Sequence, residues 1–246
     1  MKILILDIEL APMVIYQWSL DNRGWTSPNN IVEDSYVLTW AAGWHNQKKV
    51  YSDSIHKSGK KGCIQSIHKL LDAADCVVGY NSIQFDMKIL ESKFLEYGLP
   101  RVEYNNIDLM RVCKRHFRFS SFSMNYVAKK LKIGQEKLET GGFDLWKGCM
   151  AGKASSFKKM LKYNIQDIHV TRALYYKLRP YMKEHPNYGL FREERVCPTC
   201  GSDKINKKGL RYNKTSVYQR WYCTNCSSHS QSRQAEKLIF KDLLKQ

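Results

Sequence analysis

The chain has 246 residues, 43% of them hydrophobic and 12% aromatic, which suits one well-packed domain with a small appendage. Forty Lys and Arg against 23 Asp and Glu leave a formal charge of +17, a balance that favours a polyanionic partner, nucleic acid before an anionic membrane surface. No apolar run approaches the roughly 20 residues that span a bilayer, and Asp7 and Glu9 interrupt the apolar opening, so neither a membrane anchor nor a secretory signal is expected.

Residues 2–10 form an apolar run of the kind buried on both faces of a sheet and predict the first strand. Strand-like runs follow at 36–44 and 49–54, separated by the polar His45-Asn46-Gln47. A helical period covers 63–73, and Cys76-Val77-Val78-Gly79-Tyr80 reads as a short strand entering a loop. Residues 85–97 are helical, stopped by Gly98-Leu99-Pro100. Residues 106–113 read as a strand or a strand–helix junction, and 123–131 as an amphipathic helix ended near Gly134. Thr140-Gly141-Gly142 is a glycine-rich loop, and residues 141–153 are expected to border a substrate. The long helix runs over 156–179 and stops at Pro180. Three early strands, then strands alternating with helices, predict an α/β architecture with a mixed sheet flanked by helices. His185-Pro186-Asn187 reads as a linker, which assigns 1–185 to the main domain and 191–246 to a short, cysteine-paired second one. The chain from residue 183 on carries +7 of the total charge, so both parts are basic.

Some carboxylates stand where carboxylates are costly. Strand side chains alternate, so Asp7 and Glu9 share a face of the first strand. Burying them costs free energy and places like charges side by side, and a divalent cation that prefers hard oxygens relieves both problems. The plainer alternative is a strand that ends near Asp7 with both acids in water. On the long helix Tyr163, Asp167, Val170, Leu174 and Leu178 recur at spacings of three or four, and the apolar members draw Tyr163 and Asp167 towards the core. Asp86 sits in the first turn of its helix, where the dipole alone favours an acid.

In chain order, Asp7-Ile8-Glu9, the stretch from Asn81 through Phe85 and Asp86, and Tyr163 with Asp167 resemble the motifs of the DEDD exonuclease superfamily. The resemblance is to the branch with Tyr in the third motif, close to exonucleases related to the proofreading domain of family B DNA polymerases, and it covers roughly residues 1–180. Lys162 stands where the other branch has His, and Leu10 where Thr or Ser often follows the Glu. The resemblance implies a ribonuclease-H-like sheet and a 3′–5′ exonuclease that hydrolyses phosphodiester bonds of nucleic acid, with DNA bearing a free 3′ end the expected substrate. It implies that Asp7 bridges two Mg²⁺ or Mn²⁺ ions, with Glu9 and Asp167 completing one site and Asp86 serving the other. Tyrosine ordinarily titrates near 10, so Tyr163 would orient the attacking water rather than act as its base. Asn81 and Phe85 would line the pocket for the terminal nucleotide.

Lys147 belongs to a set of basic residues interleaved with aromatics between 114 and 159, a composition suited to a single strand. Cys197-Pro-Thr-Cys200 and Cys223-Thr-Asn-Cys226 lie 22 residues apart and supply four thiolates for one structural Zn²⁺. That segment resembles the zinc ribbons attached to DNA-handling proteins, and Arg211 and Arg220 between its cysteine pairs are candidate nucleic-acid contacts. Cys63, Cys76, Cys113 and Cys149 are single and read as ordinary thiols, which fits a reducing cytoplasm. The sequence shows no polymerase domain, so replication or repair proteins would be partners in trans. Two alternatives stay open: a non-catalytic nucleic-acid binder, and a structure-selective or RNA-directed nuclease with the same metal chemistry.

Overall fold

β1 (Ile3–Leu10) is the central strand of a five-stranded sheet, and the alternation of its side chains puts the acidic pair at its end on one side. A computed structural model describes residues 1–19, 26–134, 142–183 and 185–236. Thr140 and Gly141 of the glycine-rich loop lie outside the described residues, as do residues 237–246 of the expected second domain. The chain divides into two compact units, Met1–Leu174 and Tyr175–Gln246.

In the first unit β1 is followed by a small antiparallel pair, β2 (Val14–Ile15) and β3 (Ile31–Glu33). Next come β4 (Val37–Trp44), β5 (Tyr51–Ser54), α1 (Ile55–Asp72), β6 (Cys76–Gly79), α2 (Asp86–Glu96) and β7 (Asn105–Asp108). The sheet order is β5-β4-β1-β6-β7, antiparallel from β5 to β1 and parallel from β1 to β7. Four helices follow: α3 (Leu109–His116), α4 (Met124–Lys130), α5 (Asp144–Met150) and the long α6 (Ala154–Leu178), which belongs to this unit as far as Leu174. This is the expected mixed α/β sheet flanked by helices.

The two faces of the sheet have separate cores. Leu4, Leu6 and Ile8 of β1 pack with Ile67 and Leu71 of α1 and Leu90 and Phe94 of α2. The alternate positions, Ile3, Ile5, Asp7 and Glu9, therefore face the other side. On that side Leu38 of β4 packs with Leu145 of α5 and with Phe157, Met160 and Tyr163 of α6. The single cysteines Cys63, Cys76, Cys113 and Cys149 are all buried, as ordinary core thiols are.

The structure extends the sequence reading at two points. Helix α1 begins at Ile55 rather than 63, because Ser54 caps it by accepting from the Lys57 N–H and Gly59 kinks it at a φ of 69°. The ambiguous stretch 106–113 is a junction: β7 passes at Asp108, whose carboxylate caps α3, directly into that helix. No helix among the described residues is long and apolar enough to cross a membrane.

The second unit carries a three-stranded antiparallel sheet, ordered β10-β9-β8, formed by β8 (Ile205–Tyr212), β9 (Val217–Cys223) and β10 (His229–Gln231). Its two Cys-x-x-Cys turns are built alike. In the first, the Gly201 N–H donates to the Cys197 carbonyl at 2.8 Å, and in the second the Ser227 N–H donates to the Cys223 carbonyl at 2.9 Å. Both donors sit in the left-handed region, at φ 74° and 61°.

Candidate active site and metal centres

Asp7, Glu9 and Asp167 come together. Alternation on β1 sends Asp7 and Glu9 to the face that α6 covers, and the apolar stripe of α6 seats Asp167 there with 2% of its surface exposed. Each of the three offers a carboxylate oxygen, and these oxygens lie within 4.8 Å of one another. Unit charges that close repel by about 3 kcal/mol per pair at an effective dielectric near 20. A hard-oxygen donor set with this much mutual repulsion fits a divalent cation of the Mg²⁺ or Mn²⁺ kind. Tyr163 stands on the same helix one turn before Asp167 and is likewise buried.

Asp86 does not join that trio. It occupies the first turn of α2, and its Oδ1 accepts the main-chain N–H of Ile8 at 3.1 Å, between Asp7 and Glu9. β1 pairs with β6 only as far as Ile5 and Val78, so the Ile8 N–H finds its acceptor on Asp86 instead of on a neighbouring strand. Burial pushes the Asp86 carboxyl up to about 7, opposed by the N–H groups of Ile8 and of Asp86 itself, and the charge of Asp108 adds to the rise.

Three residues that the sequence reading passed over shape this site. The buried Asn164 donates from Nδ2 to Asp7 Oδ2 at 2.5 Å and to the Asp7 carbonyl at 3.2 Å. Its Oδ1 accepts from the hydroxyl of Thr39, also buried, at 3.2 Å. Asp108 holds the loop between β6 and α2, accepting from the N–H groups of Asn81 at 3.0 Å and Ile83 at 3.4 Å. An Asn inside a long helix is a weak helix former, and that was the available signal for Asn164.

Asn81 contributes to this loop through its backbone, in a left-handed conformation at φ 61° that Asn tolerates better than most residues. Phe85 is 46% exposed and lines a cleft of about 520 Å³ together with Leu10, Pro12, Ser35, Phe143 and Trp146. The cleft is mainly apolar, and Leu10 and Phe85 are the direct chain neighbours of Glu9 and Asp86. Ser35 spends its hydroxyl on the Ala11 carbonyl at 2.6 Å. Lys147 on α5 is exposed, 3.4 Å from Asp144, with its Nζ 5.7 Å from the centre of the Phe143 ring.

The second unit brings Cys197, Cys200, Cys223 and Cys226 together, their sulfurs within 4.8 Å of one another. Burial opposes ionisation of Cys197, yet hydrogen bonds from Ser228, from the main-chain N–H groups of Cys200 and Thr199 and from Cys226 bring its thiol down to about 7. Burial pushes Cys226 up to about 12. Four clustered sulfurs form a soft donor set that fits a tetrahedral metal ion such as Zn²⁺. Arg211 reaches Gln231 at 2.9 Å, and Arg220 pairs in register with the same residue.

A model of the RNase H superfamily matches residues 33–179, a span that contains Asp86, Tyr163 and Asp167 and begins after Asp7 and Glu9. Among solved structures, the family B DNA polymerase from the hyperthermophilic archaeon Pyrobaculum calidifontis is similar at a TM-score of 0.53 and 14% identity. That similarity covers 88% of this chain and 31% of the polymerase, so the chain spans about a third of its length. At this identity the likeness is one of fold. No curated protein matches the chain.

Proposed function

The chain belongs to the RNase H superfamily, and from that premise we propose that it is a divalent-metal-dependent 3′–5′ exonuclease acting on nucleic acid, with DNA as its substrate. The observation that carries this reading is the meeting of Asp7, Glu9 and Asp167 within 4.8 Å, next in sequence to residues of an aromatic cleft. The fold's likeness to a DNA polymerase supports the choice of DNA. The 3′–5′ polarity rests on the motif resemblance.

In this reading Asp7, Glu9 and Asp167 would hold one Mg²⁺ or Mn²⁺, and Asp7 with Asp86 a second. Bound there, such ions acidify a coordinated water and offset the charge that builds on the phosphate. The protein's own groups do the rest. Tyr163, beside Asp167, orients the attacking water, and Phe85, Phe143 and Trp146 offer faces on which a terminal base stacks. Stacking is sequence-tolerant, as an exonuclease requires. Lys147, Arg211 and Arg220 are proposed contacts to the phosphate backbone. Residues 191–246 are proposed as a zinc ribbon with a C-terminal tail, the ribbon gripping the strand, its thiolates suited to a reducing cytoplasm. Replication or repair proteins would be its partners in trans.

Linear and circular single strands of the same sequence test the need for an end. With Mn²⁺, the linear DNA is degraded and the circle survives if the reading is right. Equal cutting of both overturns the exonuclease reading in favour of an endonuclease on the same fold.

A further inference from the structure

Asn164 aims both hydrogens of its amide at one residue, Asp7, taking its Oδ2 at 2.5 Å and its carbonyl at 3.2 Å. Asp7 offers only acceptors there, so the nitrogen end must face it. The other end is also held, because the Thr39 hydroxyl donates to Asn164 Oδ1 at 3.2 Å. A flipped amide would point a carbonyl oxygen at a carboxylate, which fixes the orientation from the Asp7 side. Both Asn164 and Thr39 are fully buried, so water cannot substitute for either bond. The chain thus passes from β4 through Thr39, to α6 through Asn164, and on to β1 at Asp7. Thr39 is itself the register partner of Glu9, so the relay joins two members of the acidic trio.

We propose that Asn164, locked by Thr39, is a positioning residue that fixes the Asp7 carboxylate for cation binding, an inference that rests on the metal-dependent nuclease reading. An amide suits this task because it is neutral. A Lys or Arg at position 164 would hold Asp7 equally well but would compete with the cation, and an Asp would add a fourth negative charge. The Asn164 N–H takes one lone pair of Oδ2, so this bond does not exhaust the acceptor capacity of the carboxylate. Groups that orient a ligand in this way typically govern metal affinity by about 10–100-fold.

The test measures Mn²⁺ binding to the full, zinc-loaded chain by the electron paramagnetic resonance of the free ion, and so does not depend on turnover. Asn164→Leu keeps the volume and removes both donors, and should weaken Mn²⁺ binding by at least about tenfold. Thr39→Val, which removes only the lock, should weaken it by roughly threefold, and Thr39→Ser should restore wild-type binding. A merely structural role would lower the melting temperature and leave Mn²⁺ affinity unchanged in the folded variant, and that result overturns the proposal. If Asn164→Leu does not fold, Thr39→Val against Thr39→Ser decides in the same way. Asp7→Asn separates this inference from its premise. Wild-type affinity in Asp7→Asn removes the metal reading and the positioning role together, whereas loss in Asp7→Asn with none in Asn164→Leu removes the positioning role alone.

Discussion

Burying Asp86 costs stability in a way that pH exposes. Its carboxyl is raised to about 7 in the folded chain, from an ordinary value of 3.8. Below about pH 4 it is protonated whether the chain is folded or not, and it costs nothing. As pH rises towards 7 the unfolded chain ionises freely while the folded one resists, so stability is progressively lost, on the order of 4 kcal/mol by pH 7 and above. Asp86→Asn keeps an acceptor for the Ile8 N–H and cannot ionise. Without divalent metal it should therefore melt several degrees higher than wild type at pH 8, with the gap closing as pH falls to 4. A variant that melts lower at pH 8 would contradict this account. At this scale the sequence was informative wherever a charge broke an apolar pattern, as at Asp7, Glu9 and Asp167. It offered only a weak helix former for Asn164 and nothing for Asp108, because neither breaks a period and each acts on a partner far away in the chain, 157 and 27 residues off.

Among the elements, β1 and α6 were legible because eight and 25 residues of one period leave little ambiguity. The seven-residue α5 was not foreseen, since it lacks the side-chain cap that Ser123 gives the equally short α4 and follows a glycine-rich stretch that reads as loop. Strands β8 to β10 escaped for another reason: the side chains of β8 are almost all exposed, so no apolar alternation marks it. What the sequence did offer there was cysteine spacing, and the two turns it marks are built alike. Their left-handed positions are held by Gly201 and Ser227, and this gives opposite expectations for two small substitutions. Gly201→Ala brings a Cβ into the left-handed region and 3.3 Å from the Tyr188 ring, and should destabilise the second unit by about 1–2 kcal/mol. Ser227→Gly removes a Cβ from the same conformation and should be neutral or stabilising by up to about 1 kcal/mol. Denaturant melts followed by the fluorescence of Trp221 check both, and equal effects would mean that the two turns are not equivalent.

On the scale of the whole molecule, charge decides more than fold. With a formal charge of +17, both parts basic, binding to a single strand should be governed by counterion release. Each phosphate contact contributes a salt slope of about −0.7. Raising salt from about 50 to about 200 mM should then weaken binding by at least about tenfold if roughly three phosphates are held. Cys197→Ser with Cys226→Ser should reduce that slope while leaving hydrolysis at saturating DNA within about twofold, because the acidic trio lies wholly in the first unit. Unchanged slope in this double variant would remove the proposed nucleic-acid role of the ribbon. The most direct measurement of the central claim is a time course on 5′-labelled single-stranded DNA with Mn²⁺, wild type beside Asp7→Ala. The account predicts a ladder that shortens from the 3′ end and is abolished in the variant. Intact label in wild type, with the DNA still bound, would contradict it and leave a nucleic-acid-binding protein built on a nuclease fold.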